Sequence, residues 1–336
     1  ALDAMGGDLG PQELISGAFL AVERDDLKVT LVGDEPVLQN HLQSTSASKK
    51  LLERLDIVHA RTVVDMDENP VDAIRKKKDS SIMVAFDLVK SGQATAVVSA
   101  GYSGATLAAG VRKLGRLKNV ARPGLASAFP TLKGPVVVMD IGANVECRPD
   151  HLYQFGVMAT AFSNLYNVDK PRVGLLTIGE ETGKGNTLIK EAYSLLERSR
   201  LNFIGNVEGR DVFQGDVDVV VCDGFVGNIV LKISEGLADA AMKMLRDEIL
   251  KSTLAKLGYL LARPAFNKFK RRVDYATYGG APLLGIKGIG IVCHGKSSAR
   301  AIKNAIISTA EMDRLKLNDV IAGDLAKDFD TGAAGI

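Results

Sequence analysis

The sequence predicts an α/β fold with a mostly parallel sheet and helices on both of its faces, a three-layer α/β/α arrangement. Three observations predict it. Short β-branched runs alternate with amphipathic stretches almost throughout the 336 residues. Strands such as Val136-Val-Val-Met139 are apolar at every position, as burial on both faces requires. The 34 glycines gather at strand ends instead of spreading through linkers.

Taken in order, residues 1–8 read as the end of a strand and not as a signal peptide, so an initiator Met and one or two strand residues are expected before Ala1. β-branched runs then predict strands at 28–32, 56–59, 96–99, 136–140, 172–178, 202–205, 217–222 and 289–292. Helical periodicity fills the intervals at 11–24, 36–42, 81–91, 103–114, 150–166, 186–198, 228–251 and 298–317. No repeat or low-complexity linker divides the chain, so residues 1–336 are expected to form one catalytic domain, or two lobes sharing a cleft. In such a sheet, ligands sit outside the carboxyl ends of the strands.

Composition narrows the function. A net charge of +2 gives no global field for nucleic acid. Cys147, Cys222 and Cys293 suggest neither a disulfide framework nor a metal site, which suits a reduced cytoplasmic setting. No apolar stretch reaches the roughly 18 to 20 residues of a membrane span. One segment stands apart, the amphipathic helical hairpin expected at 250–273. Between 251 and 272 it carries seven basic residues and no acidic one, interleaved with Leu254, Leu257, Leu260, Leu261, Phe266 and Phe269. Pro264 is expected to split it into two short helices. Such a segment either lies on a membrane surface, through Leu257, Leu261, Arg263, Lys268 and Arg271, or covers a dimer partner.

Five glycine turns follow predicted strands: Asp3-Ala-Met-Gly-Gly-Asp8, Ser99-Ala-Gly-Tyr-Ser-Gly-Ala105, Asp140-Ile-Gly-Ala-Asn144, the loop ending Thr182-Gly-Lys-Gly-Asn186, and Asp223-Gly-Phe-Val-Gly-Asn228. A strand that hands over to a helix through glycines leaves N–H groups at the positive end of the helix dipole, which makes a seat for an anion. The five turns are expected to converge at one carboxyl edge.

Together these motifs, with Tyr278-Gly-Gly-Ala281 and His294-Gly295, resemble the PlsX family, the phosphate acyltransferases of bacterial phospholipid synthesis. The resemblance implies transfer of a fatty acyl group from acyl carrier protein to inorganic phosphate. It also implies a fold similar to isocitrate and isopropylmalate dehydrogenases, a homodimer, no cofactor or metal, and peripheral attachment to the cytoplasmic membrane. In one departure, Tyr102-Ser103 stands where the family usually has Asn-Thr; serine keeps the hydroxyl, while tyrosine loses an amide.

Phosphate is a competent nucleophile, so no protein nucleophile is required, and the chain has no GxSxG elbow. Phosphate binding is expected from Ser99, Gly101, Ser103, Gly104, Asp223, Gly224 and Gly227, although both serines are equally suited to capping a helix. Lys184 and Asn228 suit the developing oxyanion, and His294 suits phosphate or the departing thiolate. Asp3, Gly6, Gly7, Asp8, Asp140, Asn144 and Asn186 are read as supporting residues, the acids orienting their surroundings. Ile229, Leu231, Ile233 and Leu237 suit either an acyl groove or the core. Arg112, Lys113, Arg116 and Lys118 form a second basic patch able to steer an acidic carrier. Two readings from other classes are an NAD-dependent dehydrogenase of the isopropylmalate type and a non-catalytic anion-binding membrane scaffold. The first lacks a GxGxxG opening with a downstream acid.

Overall fold

Alternate residues of the central strands feed two separate cores, which is why their sequence is apolar at every position. Val137, Met139, Val219 and Val221 face one core, and Val136, Val138 and Val220 face the other. The computed structural model describes residues 1–330 apart from 25, 46, 47, 66 and 274, so the last six positions of the expected domain lie outside the described residues. Its strands are β1 (Leu2–Asp3), β2 (Val29–Gly33), β3 (Leu55–His59), β4 (Ala96–Ser99), β5 (Gly124–Pro130), β6 (Pro135–Met139), β7 (Arg172–Leu176), β8 (Asn202–Val207), β9 (Val219–Val221), β10 (Ala281–Leu284) and β11 (Ile289–Val292). They form one sheet in the order β3-β2-β1-β4-β11-β10-β5-β6-β9-β7-β8.

The helices are α1 (Pro11–Val22), α2 (Glu35–Ser44), α3 (Lys49–Leu52), α4 (Pro70–Lys76), α5 (Ser81–Lys90), α6 (Ser103–Leu114), α7 (Pro149–Ser163), α8 (Thr187–Glu197), α9 (Gly224–Lys251), α10 (Thr253–Val273), α11 (Ala299–Arg314) and α12 (Leu317–Asp330). Residues of α1, α7, α8, α11 and α12 enter the first core. Residues of α4, α5, α6 and the start of α9 enter the second. Both faces of the sheet are therefore covered, as expected.

Sheet polarity corrects the expectation of a single functional edge. Strands β3, β2, β1, β4 and β11 are mutually parallel, and so are β6, β9, β7 and β8. Between the two groups, β11–β10, β10–β5 and β5–β6 are all antiparallel. Three successive reversals leave the two halves running in opposite directions. Their carboxyl ends lie at opposite edges of the sheet, with the ends of β1, β4 and β11 at one and those of β6, β7 and β9 at the other.

The basic segment also differs from expectation. Pro264 lies inside one continuous helix, α10, and does not divide it. Proline removes one helical hydrogen bond, and the carbonyl it orphans belongs to Leu260, which is well exposed and open to solvent. None of α10 is buried, and the helix forms a groove against α9, lined among others by Met242, Arg246, Lys256, Tyr259, Phe266 and Lys270. No helix among the described residues is long and apolar enough to cross a membrane.

Candidate active site

At the first edge, strand β1 ends in Asp3, which is 3% exposed. Its Oδ1 accepts from the N–H groups of Met5 and Gly6 at 3.3 and 3.2 Å. Its Oδ2 accepts from the Ser99 hydroxyl at 2.8 Å, and the N–H of Gly101 donates to Ser99 Oγ at 3.1 Å. Burial raises the Asp3 carboxyl above its usual range, against the hydrogen bonds it receives. A methyl group on Gly6 would lie 2.8 Å from Gly101 Cα, so only glycine lets these two turns meet. The third turn joins them through the Asp8 N–H, which donates to Gly295 O at 2.8 Å. Next to Gly295, His294 Nδ1 accepts from the Lys296 N–H at 3.1 Å, which leaves the neutral ring's proton on Nε2.

Helix α6 opens beside this cluster. Tyr102 occupies its N-cap position and offers no side-chain hydrogen bond. The first-turn N–H groups, including those of Ser103 and Gly104, have no intrahelical acceptor. Ser103 is exposed at that end. The result is an open, positively polarised helix terminus carrying a hydroxyl, suited to a phosphate. Ser99 has a different role from the one expected. It is fully buried and engaged with Asp3 and Gly101, so it holds the turn while Ser103 faces outward.

At the opposite edge, Asp140 is fully buried after β6 and receives five hydrogen bonds. Oδ1 accepts from the N–H groups of Leu125, Gly142 and Ala143, and Oδ2 from the N–H and side-chain amide of Asn144. Burial raises this carboxyl as well. The Asn144 amide also donates to Pro123 O, so Asn144 ties the turn together instead of facing a cleft.

The Asp223–Asn228 motif requires a larger correction. It is not a loop ahead of a helix but the first turn of α9, which starts four residues earlier than expected. Asp223 caps the helix by accepting from the Val226 N–H, and the Gly224 N–H donates to Asn144 O. The anion seat expected here is largely filled by the protein's own acceptors. Gly224 and Gly227 serve close packing: methyl groups there would lie 2.6 Å from Asn144 O and 1.9 Å from Asp140 O. Asn228 is exposed beside Gly142. In the adjacent turn after β7, Lys184 is exposed, with its ammonium 3.9 Å from Glu181 Oε1. Asn186 caps α8 through its side-chain oxygen, which accepts from the Ile189 N–H.

The structure thus gathers Asp3, Gly6, Gly7, Asp8, Ser99, Gly101, Ser103, Gly104, His294 and Gly295 at one edge. It places Asp140, Asn144, Lys184, Asn186, Asp223 and Asn228 at the other. Burial pushes the Cys147 and Cys293 thiols up to about 12 and also raises Cys222, so all three are protonated and poor nucleophiles near neutral pH. Sequence reasoning missed Leu125 and Pro123, whose backbone groups complete the Asp140 turn; nothing in their side chains signals that role. The capping role of Asp223 was legible, since an aspartate directly before a helical pattern is a preferred N-cap.

A family model described as fatty acid synthesis protein matches residues 1–319. The chain is 54% identical over 321 residues to the phosphate acyltransferase of Nitratidesulfovibrio vulgaris, covering 95% of this chain and 92% of that one. It is 52% identical to the phosphate acyltransferase of Geobacter sulfurreducens, covering 98% and 94%. Among solved structures, a phosphotransacetylase from Streptococcus pyogenes superimposes with a TM-score of 0.60 at 17% identity, covering 90% of this chain and 91% of that one. The 4-hydroxythreonine-4-phosphate dehydrogenase of Klebsiella pneumoniae gives 0.51 at 14% identity, covering 92% and 97%. These two likenesses establish the fold alone.

Proposed function

This chain belongs to the fatty acid synthesis protein family and is an acyltransferase that uses phosphate as acceptor; on that premise we propose that its acyl donor is a fatty thioester of acyl carrier protein. The observation that carries the reading is the uncapped N-terminus of α6, with Ser103 exposed and His294 on a neighbouring turn. Phosphate seated there attacks the thioester carbonyl, and a tetrahedral oxyanion forms. Collapse breaks the carbon–sulfur bond and yields acyl phosphate and the carrier thiolate, which takes up a proton. Ser103 and the first-turn N–H groups hold the phosphate. The Nε2 proton of His294 serves the phosphate or the departing sulfur. Lys184 and the Asn228 amide supply positive charge and a donor to the oxyanion. Asp3, Asp140, Ser99 and Asn144 keep these turns in place.

Residues 1–336 then act as one catalytic unit with two lobes, in a dehydrogenase-like arrangement of the sheet that the likeness to 4-hydroxythreonine-4-phosphate dehydrogenase supports. We place the enzyme in the cytoplasm as a homodimer that attaches peripherally to the membrane through α10. In the second basic patch, Lys113 pairs with Asp87 and Arg116 donates to Ala121 O, which favours the α10 cations for contact with an acidic carrier or lipid. The test is direct. Purified protein is expected to consume acyl-carrier thioester only when phosphate is present, with acyl phosphate as product; loss of thioester without phosphate would identify a hydrolase instead.

A further inference from the structure

A large hydrophobic side chain exposed singly is ordinary, but three at neighbouring strand ends are not. Ile178 follows β7 and is 84% exposed, the most of any large hydrophobic residue among those described. Val145, in the turn after β6, is 63% exposed, and Phe225, just past β9, is 57% exposed. None of the three enters either core, so folding does not account for them. Sheet register brings their turns together. Strand β9 lies between β6 and β7, and its Val221 pairs with Met139 on one side and Leu175 on the other. The three chains therefore leave the sheet side by side. Beyond it the Gly224 N–H donates to Asn144 O at 2.8 Å, which sets Phe225 and Val145 directly after two bonded residues. The groups assigned to the oxyanion stand at the same corner. A methyl group on Gly179, next to Ile178, would lie 3.0 Å from Lys184 Cγ, so the lysine stem folds over that glycine. One on Gly142 would lie 3.4 Å from Asn228 Oδ1. Farther along α9, Ile233 and Leu237 are exposed and not core, but the helix carries them away from this corner at about 1.5 Å per residue.

We propose that Ile178, Val145 and Phe225 receive the acyl chain of the donor and so set which chain lengths the enzyme prefers. The inference rests on the function proposed above and deepens it. The carbonyl carbon of a thioester bears three groups: the oxygen, the sulfur and the hydrocarbon chain. Where Lys184 and Asn228 hold the oxygen, the first methylenes of the chain lie beside whatever surrounds those two donors. What surrounds them is apolar. The prosthetic arm leaves the same carbon through sulfur, and its polar groups gain nothing from these side chains. Each methylene that settles on the patch removes apolar surface of both partners from water. The contact therefore favours long chains over short ones, as a specificity element must.

Ile178→Ser with Val145→Ser tests it in the full-length protein, with hexadecanoyl and acetyl groups carried by the same acyl carrier protein. The measurement is the ratio of kcat/KM for the two donors at saturating phosphate. The ratio is expected to fall about tenfold or more, because acetyl has no methylene chain to lose the contact. Ile178→Leu, which keeps an apolar side chain of the same size, is expected to hold the wild-type ratio within about twofold. A turn merely loosened by the serines slows both donors alike, so an unchanged ratio overturns the acyl site; a change of mass by light scattering beside it would give the patch to a second copy. A second measurement does not depend on turnover. The chain contains no tryptophan, so Ile178→Trp carries a single indole. With a carrier that also lacks tryptophan, its emission is expected to shift to the blue when the hexadecanoyl form is added without phosphate, and not when the acetyl form is. No shift at saturating donor overturns the assignment of Ile178. Thioester loss without phosphate in the wild type sinks the functional reading instead, and the emission shift still decides the acyl contact.

Discussion

The Ser99 hydroxyl donates to Asp3 Oδ2 at 2.8 Å, joining the ends of two neighbouring parallel strands across 96 residues of sequence. With the Gly6–Gly101 approach, this bond fixes how the turns after β1 and β4 face each other.

The same pair makes stability depend on pH. Burial raises the Asp3 carboxyl above its usual value of 3.8, so the folded state holds its proton more tightly than the unfolded chain does. Stability from this group is fully present below 3.8 and is lost as pH rises through the folded value. Asp3→Asn keeps an oxygen for the Met5 and Gly6 N–H groups and cannot ionise. Urea unfolding between about pH 4 and about pH 8 is expected to show a shallower decline in the variant than in the wild type. Identical slopes would remove Asp3 as the cause.

Gly227 is the tightest position at the opposite edge. A β-carbon there would sit 1.9 Å from Asp140 O, a backbone atom held by the sheet, so α9 must move to admit it. Gly227→Ala is expected to destabilise the protein by about 3 kcal/mol or more, in spite of alanine's better helix propensity. Thermal unfolding checks it: a variant as stable as the wild type would mean that the helix terminus yields freely.

Much of the fold was legible because its physics is local. Strands β6 and β9, Pro-Val-Val-Val-Met and Val-Val-Val, are short runs apolar at every position, and their burial on both faces is written in that pattern. Strand β5 reads Gly-Leu-Ala-Ser-Ala-Phe-Pro and β10 reads Ala-Pro-Leu-Leu, with proline, glycine and serine that weaken any strand signal. Those two antiparallel strands reverse the sheet, so missing them concealed the opposed directions of its two halves. Helix α12 was missed because the helical pattern was read as ending at Leu317. In the structure Leu315 and Lys316, the latter at φ 48°, separate it from α11.

At the site, the glycine and acid turns were visible in sequence, but the owners of the free N–H groups were not. The turns at α6 and α9 look alike as sequence. Only packing reveals that Asn144 and Asp223 already occupy the α9 terminus while Tyr102 leaves α6 open.

The proposed attachment to lipid rests on α10, whose Leu257 and Leu261 are 56% and 77% exposed amid Lys256, Arg263, Lys268 and Arg271. Near an anionic surface each basic residue contributes about 1 kcal/mol, and inserted leucines add apolar burial. Because α10 has no buried residue, charges placed on it do not disturb either core. Leu257→Glu with Leu261→Glu is therefore expected to keep its fold and its phosphate-dependent turnover on soluble acyl-carrier thioester, yet to stay in the supernatant when anionic vesicles are sedimented. Wild-type protein should pellet with those vesicles, and less of it as salt rises. Equal pelleting of the two proteins would return α10 to its other reading, a cover for a partner chain.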